Sequence, residues 1–316
     1  MAEIGYSWVN LDMCIATSEN YEDVLKDKEY LMENDIGIVV SVYNHKFSII
    51  QKWDAEVHIR HYMFAVENYP DLSEWELKQL ISLVIYESSH GRKIAFWFGD
   101  KKTEESFLKA IYSPHEYSFV TPPEVINVCK ACKRGQCITK YVCHTAGIDE
   151  AKQIFERGQI LSIAKSINMT PEATAKEPIN FQGDPPDYFQ YVMFTWGNCF
   201  FGDRIITERK LGRIIYEEDL RNFYSPDIKF YYKFEELQDL DSAVFDGYHP
   251  IKIKDSIKLR DFFMFCVIPL EYKDSLKGCI PRDLRDKIHY VDRSTCSTIW
   301  NWADNSYSAV LEFEKK

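Results

Sequence analysis

The chain has no apolar run long enough to cross a bilayer, so no membrane-spanning helix is expected. Its first residues lack a basic start followed by an apolar stretch, and no secretory signal is expected. There is no low-complexity tract and no internal repeat at the usual periods. Phosphate-cradling P-loops, G-x-G-x-x-G words and H-E-x-x-H words are absent, so the enzyme classes built on them gain no support. Positive charge is in short supply: 38 Lys and Arg against 49 Asp and Glu give a net charge of −11. That balance argues against broad, nonspecific nucleic-acid binding while leaving room for a local basic patch. The nine cysteines are odd in number and clustered. Reduced thiols in a cytoplasmic protein are the expectation, rather than a disulfide framework.

What is present is apolar and aromatic. Over 316 residues, 46% hydrophobic and 15% aromatic content supports a large core and two domains. The fold class expected is α+β, with an N-terminal mixed α/β domain over 1–125. The β-branched run Ile36–Val42 reads as a buried strand, and 46–53 as its partner after an Asn44-His45 turn. Residues 54–68 read as a helix, because Val57, His61, Phe64 and Ala65 share a helical face. A second helix starts at Asp71-Leu72-Ser73, Lys93–Phe98 is a strand, and a short helix covers 104–111. His45, His58 and His61 offer no third ligand at a readable spacing, and read as ordinary surface or half-buried histidines.

Residues 126–145 form a Cys-rich connector. Cys129, Cys132, Cys137 and Cys143 follow C-x2-C-x4-C-x5-C with Gly135 and basic residues between them. Four thiolates so close suit a tetrahedral zinc site, and the spacing resembles a zinc knuckle in which Cys replaces His, one residue off at the fourth ligand. An iron–sulfur cluster and unligated thiols are the rivals. Knuckles of this kind bind single strands, so Lys130, Lys133, Arg134 and Lys140 are a candidate local contact, although a solvated basic loop reads the same way.

The segment 143–212 organises the rest. It opens CHTAGIDEAKQIFERGQILSIAKS: a short strand ending His144-Thr145, then a helix with Ile148, Ala151, Ile154 and Phe155 on one face. Gly158 stands where a helix-ending left-handed residue belongs, and a second short strand, 159–163, follows. A surface loop, 169–187, leads through the stiff Asp184-Pro185-Pro186-Asp187 to an aromatic strand, Tyr191–Thr195. A Trp-Gly-Asn turn and a basic-acidic helical run from Asp203 complete it. Further on, 227–234, 251–253 and 261–270 read as strands, and Thr298 or Ser297 caps a last helix to Glu314 with Trp300, Ala303, Tyr307, Val310 and Leu311 inward.

Strand-His-Thr, amphipathic helix, Gly, short strand, then an aromatic strand ending Phe-Thr resembles the ADP-ribosyltransferases, in the branch with a His on the first strand that includes bacterial toxins and phage-defence proteins. The likeness covers 140–316 and implies a split β-sheet domain. It further implies NAD as substrate and a nucleic-acid or protein acceptor. By resemblance, His144 and Thr145 meet the ribose, while Tyr188, Tyr191 or Trp196 stacks on nicotinamide and Arg204 meets phosphate. The family's late-strand Glu has no clear match. Asp246, with His249 three residues on, is the choice for the catalytic position; Glu271 and the Glu312–Glu314 pair are alternatives. Asp246 in an Asx-turn is the bland reading. Two rival functions stay open. One is a zinc-stabilised nucleic-acid- or partner-binding protein on an inactive transferase-like fold. The other is a hydrolase using Asp184, Asp187 and Asp203 with a divalent cation.

Overall fold

The run Ile36–Asn44 forms a strand (β3) buried along almost its whole length, because parallel neighbours flank it on both sides. It is described here from a computed structural model that covers residues 6–18, 28–44, 59–66, 68–113, 140–180, 183–213 and 227–315. The chain divides into two units. One takes in Met1–Cys129 together with Asn180–Pro185 and Asp246–Tyr248; the other takes in Lys130–Ile179, Pro186–Phe245 and His249–Lys316. The architecture is mixed α and β with several sheets, as an α+β chain requires. No helix among the described residues is long and apolar enough to cross a membrane.

The first unit holds a five-stranded sheet in the order β1-β2-β5-β3-β4. Its strands are β1 (Ser7–Trp8), β2 (Met13–Thr17), β3, β4 (Arg60–Val66) and β5 (Lys93–Phe98). All pair in parallel except β1 with β2. Among its described residues the helices are α1 (Lys28–Glu33), α2 (Glu74–Ser89) and α3 (Lys101–Ile111). Ser73 starts α2 through a reciprocal capping box with Glu76, and Asp100 caps α3. The helix expected over 54–68 is a strand where it is described. His61 sits in β4, buried, its Nε2 2.6 Å from Ser41 Oγ on β3. The strand expected over 46–53 lies outside the described residues, as do His45 and His58.

Two excursions from later in the chain complete this unit. Asp184 pairs with Arg60 at 3.2 Å. The Asp246–Tyr248 turn lies on α2 and β4: the Tyr248 ring is 4.2 Å from that of Tyr62, and its hydroxyl donates to the Met63 carbonyl at 3.4 Å. Gly247 adopts φ +78°, and a Cβ there would fall 2.2 Å from the Leu83 backbone nitrogen. Only glycine lets the turn come that close.

The second unit is built on a five-stranded sheet, β15-β14-β10-β6-β9, with a three-stranded sheet β11-β12-β8 and a two-stranded sheet β13-β7. The strands are β6 (Tyr141–Ala146), β7 (Gln159–Leu161), β8 (Tyr191–Met193), β9 (Thr195–Trp196), β10 (Ile228–Lys233), β11 (Ala243–Val244), β12 (Lys252–Lys254), β13 (Ser256–Lys258), β14 (Phe265–Pro269) and β15 (Ile288–Val291). Helices α4 (Ile148–Arg157), α5 (Phe201–Leu211) and α6 (Ile299–Glu314) pack on this frame, with shorter helical turns between. Gly158 ends α4 in the left-handed conformation, φ 69°. Thr298 caps α6, whose core tryptophan is Trp302 rather than Trp300. Asp261 and Phe262, expected in a strand, end a short helical turn before β14 begins.

Alternation along β6 and β10 assigns two different faces. Cys143 lies opposite Tyr231 and Thr145 opposite Lys229; His144 lies opposite Phe230. The Cys143 face packs against Tyr307, Trp302 and Val310 of α6. The first turn of α5 closes on it so tightly that a Cβ on Gly202 would sit 2.3 Å from Thr145 Oγ1. The His144 face carries Phe230 against Phe155 of α4, with Phe194 and Tyr232 ring to ring.

Candidate functional site

His144 is the polar residue of the apolar face of β6. Its Nδ1 is 3.1 Å from the Met193 carbonyl oxygen, and its ring stands edge-on to Phe194 at 6.0 Å. A carbonyl only accepts, so Nδ1 carries the hydrogen and Nε2 is the nitrogen turned toward Glu150. Nε2 is buried without a hydrogen-bond partner and lies 3.9 Å from Glu150 Oε1. Glu150 comes from the first turn of α4, reached from β6 by Gly147 alone. Burial pushes the Glu150 carboxyl up, but the neighbouring His144 imidazole and the charge of Arg209 outweigh it and hold it below the usual range. Arg209 stands in the last turn of α5, its Nε buried with no partner. The imidazole and the carboxylate therefore face each other between β6 and α4, and the Arg209 charge is felt at Glu150.

The other expected residues fall elsewhere. Thr145 points to the opposite face from His144, against Gly202. Arg204 is buried, and its Nε donates to Glu208 at 3.0 Å, so its guanidinium is already engaged by a carboxylate. Trp196 in β9 is half-buried, 5.3 Å from the Phe234 ring. Tyr188 is fully buried; the structure does bring it to His249, edge-on at 6.1 Å. The ammonium of buried Lys252 lies over the Tyr188 and Tyr191 rings, at 4.2 and 4.9 Å. Asp246, expected to be the catalytic acid, is fully buried in the first unit, where its Oδ1 accepts from Tyr248 N at 3.0 Å. That is the Asx-turn reading of the DGY word. Glu312 and Glu314 lie in the last turn of α6, and Glu314 pairs with Lys140.

Cys129, Cys132 and Cys137 lie outside the described residues. Cys143 is buried in the core beneath α6, and burial pushes its thiol up to about 11 despite the neighbouring Lys229 ammonium. Among the described residues no three His, Cys, Asp or Glu side chains are grouped to hold a metal. Two carboxylates of the acidic trio of the hydrolase reading are already paired with cations. Asp184 pairs with Arg60 in the first unit, Asp203 is buried against Lys229 at 2.6 Å, and Asp187 lies in a 3-10 turn of the second unit.

Glu150, Arg209 and Lys229 were not singled out from sequence. Glu150 carries a faint signal: it stands six residues after His144, in the first turn of the helix that follows. Lys229 carries a clearer one, since in IKFYYK it shares the inward phase with Tyr231. Burial opposes its charge, but Asp203 and the nearby Cys143 and Cys199 sulfurs hold its pKa above the ordinary lysine value. No protein-family model matches this chain, and no curated protein matches it.

Proposed function

We propose that the second unit is an NAD-dependent ADP-ribosyltransferase acting on a nucleic-acid or protein acceptor, with its site at the His144 end of β6. The observation that carries this reading is the fixed tautomer of His144, whose unsatisfied Nε2 faces Glu150. Cleaving the nicotinamide–ribose bond leaves a cation-like ribose. A site for it needs a group that holds ribose hydroxyls and a carboxylate near the developing charge. It needs a cation for the pyrophosphate as well. His144 Nε2 suits the hydroxyl contact, and Glu150 takes the carboxylate role first given to Asp246. Arg209, with an unpartnered Nε, suits the phosphates better than Arg204, which Glu208 engages. Incubation with NAD labelled in its adenylate part, wild type against His144→Ala, tests this. Label transfer or nicotinamide release by the wild type alone supports it. No cleavage by the wild type with any acceptor counts against it.

A second reading has its own observation. Asp246 is buried and its Oδ1 accepts from Tyr248 N, so it is no free catalytic acid, which fits a zinc-stabilised nucleic-acid- or partner-binding protein on an inactive transferase-like fold. Bound zinc, retained single-stranded nucleic acid and no affinity for NAD would favour it. A role as a toxin or anti-phage effector is compatible with the transferase reading and rests on the resemblance alone.

A further inference from the structure

The closed face of the β6–β10 sheet, opposite His144, concentrates polar atoms that the fold leaves without partners. Thr145 Oγ1, Asp203 Oδ1 and the Tyr231 hydroxyl are all buried, and none reaches an oxygen or nitrogen partner; the two hydroxyls have only the Cys143 sulfur beside them. They belong to one neighbourhood. Thr145 is paired across the ladder with Lys229, and Lys229 Nζ holds Asp203 through Oδ2 at 2.6 Å, leaving Oδ1 over. Tyr231 faces Cys143 across the same ladder, and the Cys143 thiol is flanked by both the Thr145 and the Tyr231 hydroxyls. Gly202 brings α5 down on Thr145, so Asp203, the next residue, is delivered to the same spot.

Two hydroxyls and a carboxylate oxygen, all sealed from solvent, cannot be left dry at no cost. Native interiors satisfy such atoms with water, which makes about three hydrogen bonds when buried. We infer that this face encloses an internal water site, in which ordered water donates to Asp203 Oδ1 and bonds the hydroxyls of Thr145 and Tyr231. The chemistry selects water over an ion. Lys229 already neutralises Asp203, so a further cation would meet an ammonium and an anion would meet a carboxylate. The site gives Thr145 a task distinct from ligand contact: it anchors the back of the strand whose front presents His144. The inference stands whether or not the chain cleaves NAD.

The test is a crystal structure of the full chain at a resolution that shows ordered water. Density at hydrogen-bond distance from Asp203 Oδ1 and from at least one of the two hydroxyls is the expected result. Its loss in the near-isosteric pair Thr145→Val and Tyr231→Phe supports the assignment. A hydroxyl bonded directly to Asp203 Oδ1, or an empty space between the three atoms, overturns it. Should the double variant not fold, Tyr231→Phe alone is compared with wild type by oxygen-17 water relaxation in solution. A drop in the long-lived water signal is expected, and an unchanged signal overturns the proposal.

Discussion

The Nδ1 of His144 donates to the carbonyl of Met193, 3.1 Å away, and this one bond joins β6 to β8 while fixing which nitrogen faces Glu150. His144→Ala removes both the tie and the free Nε2. The proposal predicts a fall of about 10²-fold or more in NAD cleavage. His144→Asn keeps an amide near Met193 and loses the Nε2 position. Its thermal midpoint should stay closer to wild type than that of His144→Ala, with activity equally low. Nicotinamide release and thermal melts on the same samples check this. Wild-type turnover in either variant would remove His144 from the chemistry.

Glu150 and Arg209 separate by kinetics. Glu150→Gln keeps the shape and removes the charge beside Nε2, so kcat should fall by about 10²-fold with the KM for NAD little changed. Arg209→Gln should act mainly on KM, because a phosphate contact is made in the ground state as well as the transition state. Steady-state nicotinamide release distinguishes the two patterns, and identical behaviour of the variants would contradict the separate roles.

Much of the frame was legible because local signals agreed with the packing. Lys93–Phe98 is a strand as read, Gly158 does end a helix in the left-handed conformation, and α6 begins at its Thr298 cap. The failures have physical causes. Arg60–Val66 spaces its apolar residues like a helix, yet it lies beside β3 in a parallel sheet, where strands read as apolar runs without alternation. In α6, Trp300 and Trp302 compete for the inward position two residues apart, and only packing beneath Cys143 and Tyr231 decides for Trp302. The candidate site was legible at His144 alone. Thr145 is its neighbour in number but faces the other way, since side chains alternate along a strand. Arg204 and Arg209 share a helix, and the sequence does not say which has Glu208 as a partner.

Gly247 is pinned to α2. A side chain there must tolerate φ +78° and displace backbone, with Leu83 N at 2.2 Å and Ser82 C at 2.7 Å from the new Cβ. Gly247→Ala should therefore cost roughly 2–4 kcal/mol in the first unit. Lost protection of α2 amides in hydrogen exchange reads this out locally. Unchanged protection would mean that the turn leaves α2 without disturbing it.

Lys229 and Asp203 form a buried pair in which each needs the other. Lys229→Met leaves the Asp203 carboxylate in the core without its cation and should cost about 3–5 kcal/mol. Replacing both, as Lys229→Met with Asp203→Leu, removes the buried charges together and should recover most of that loss. A double-mutant cycle in urea measures the coupling, and additive losses would show that the two side chains do not depend on each other.

Asp227 should make stability fall as pH rises. Its carboxyl is buried at the start of β10, and burial pushes its pKa from 3.8 up to about 7, although Lys210 at 2.6 Å pulls the other way. A carboxyl raised on folding binds its proton more tightly in the native state than in the unfolded one. Its contribution is full below the unfolded value near 3.8 and is lost progressively as pH rises through 7. The slope from this group approaches, at most, about 1.4 kcal/mol per pH unit between those limits. Asp227→Asn keeps the shape, removes the titration and should flatten stability over pH 4 to 7 relative to wild type. The Trp302 indole still donates to the Asp227 backbone carbonyl at 3.2 Å, a bond the substitution leaves intact, so a change in slope reports the carboxyl rather than the anchoring of α6. Parallel pH profiles for the two proteins would mean that Lys210 keeps Asp227 ionised throughout.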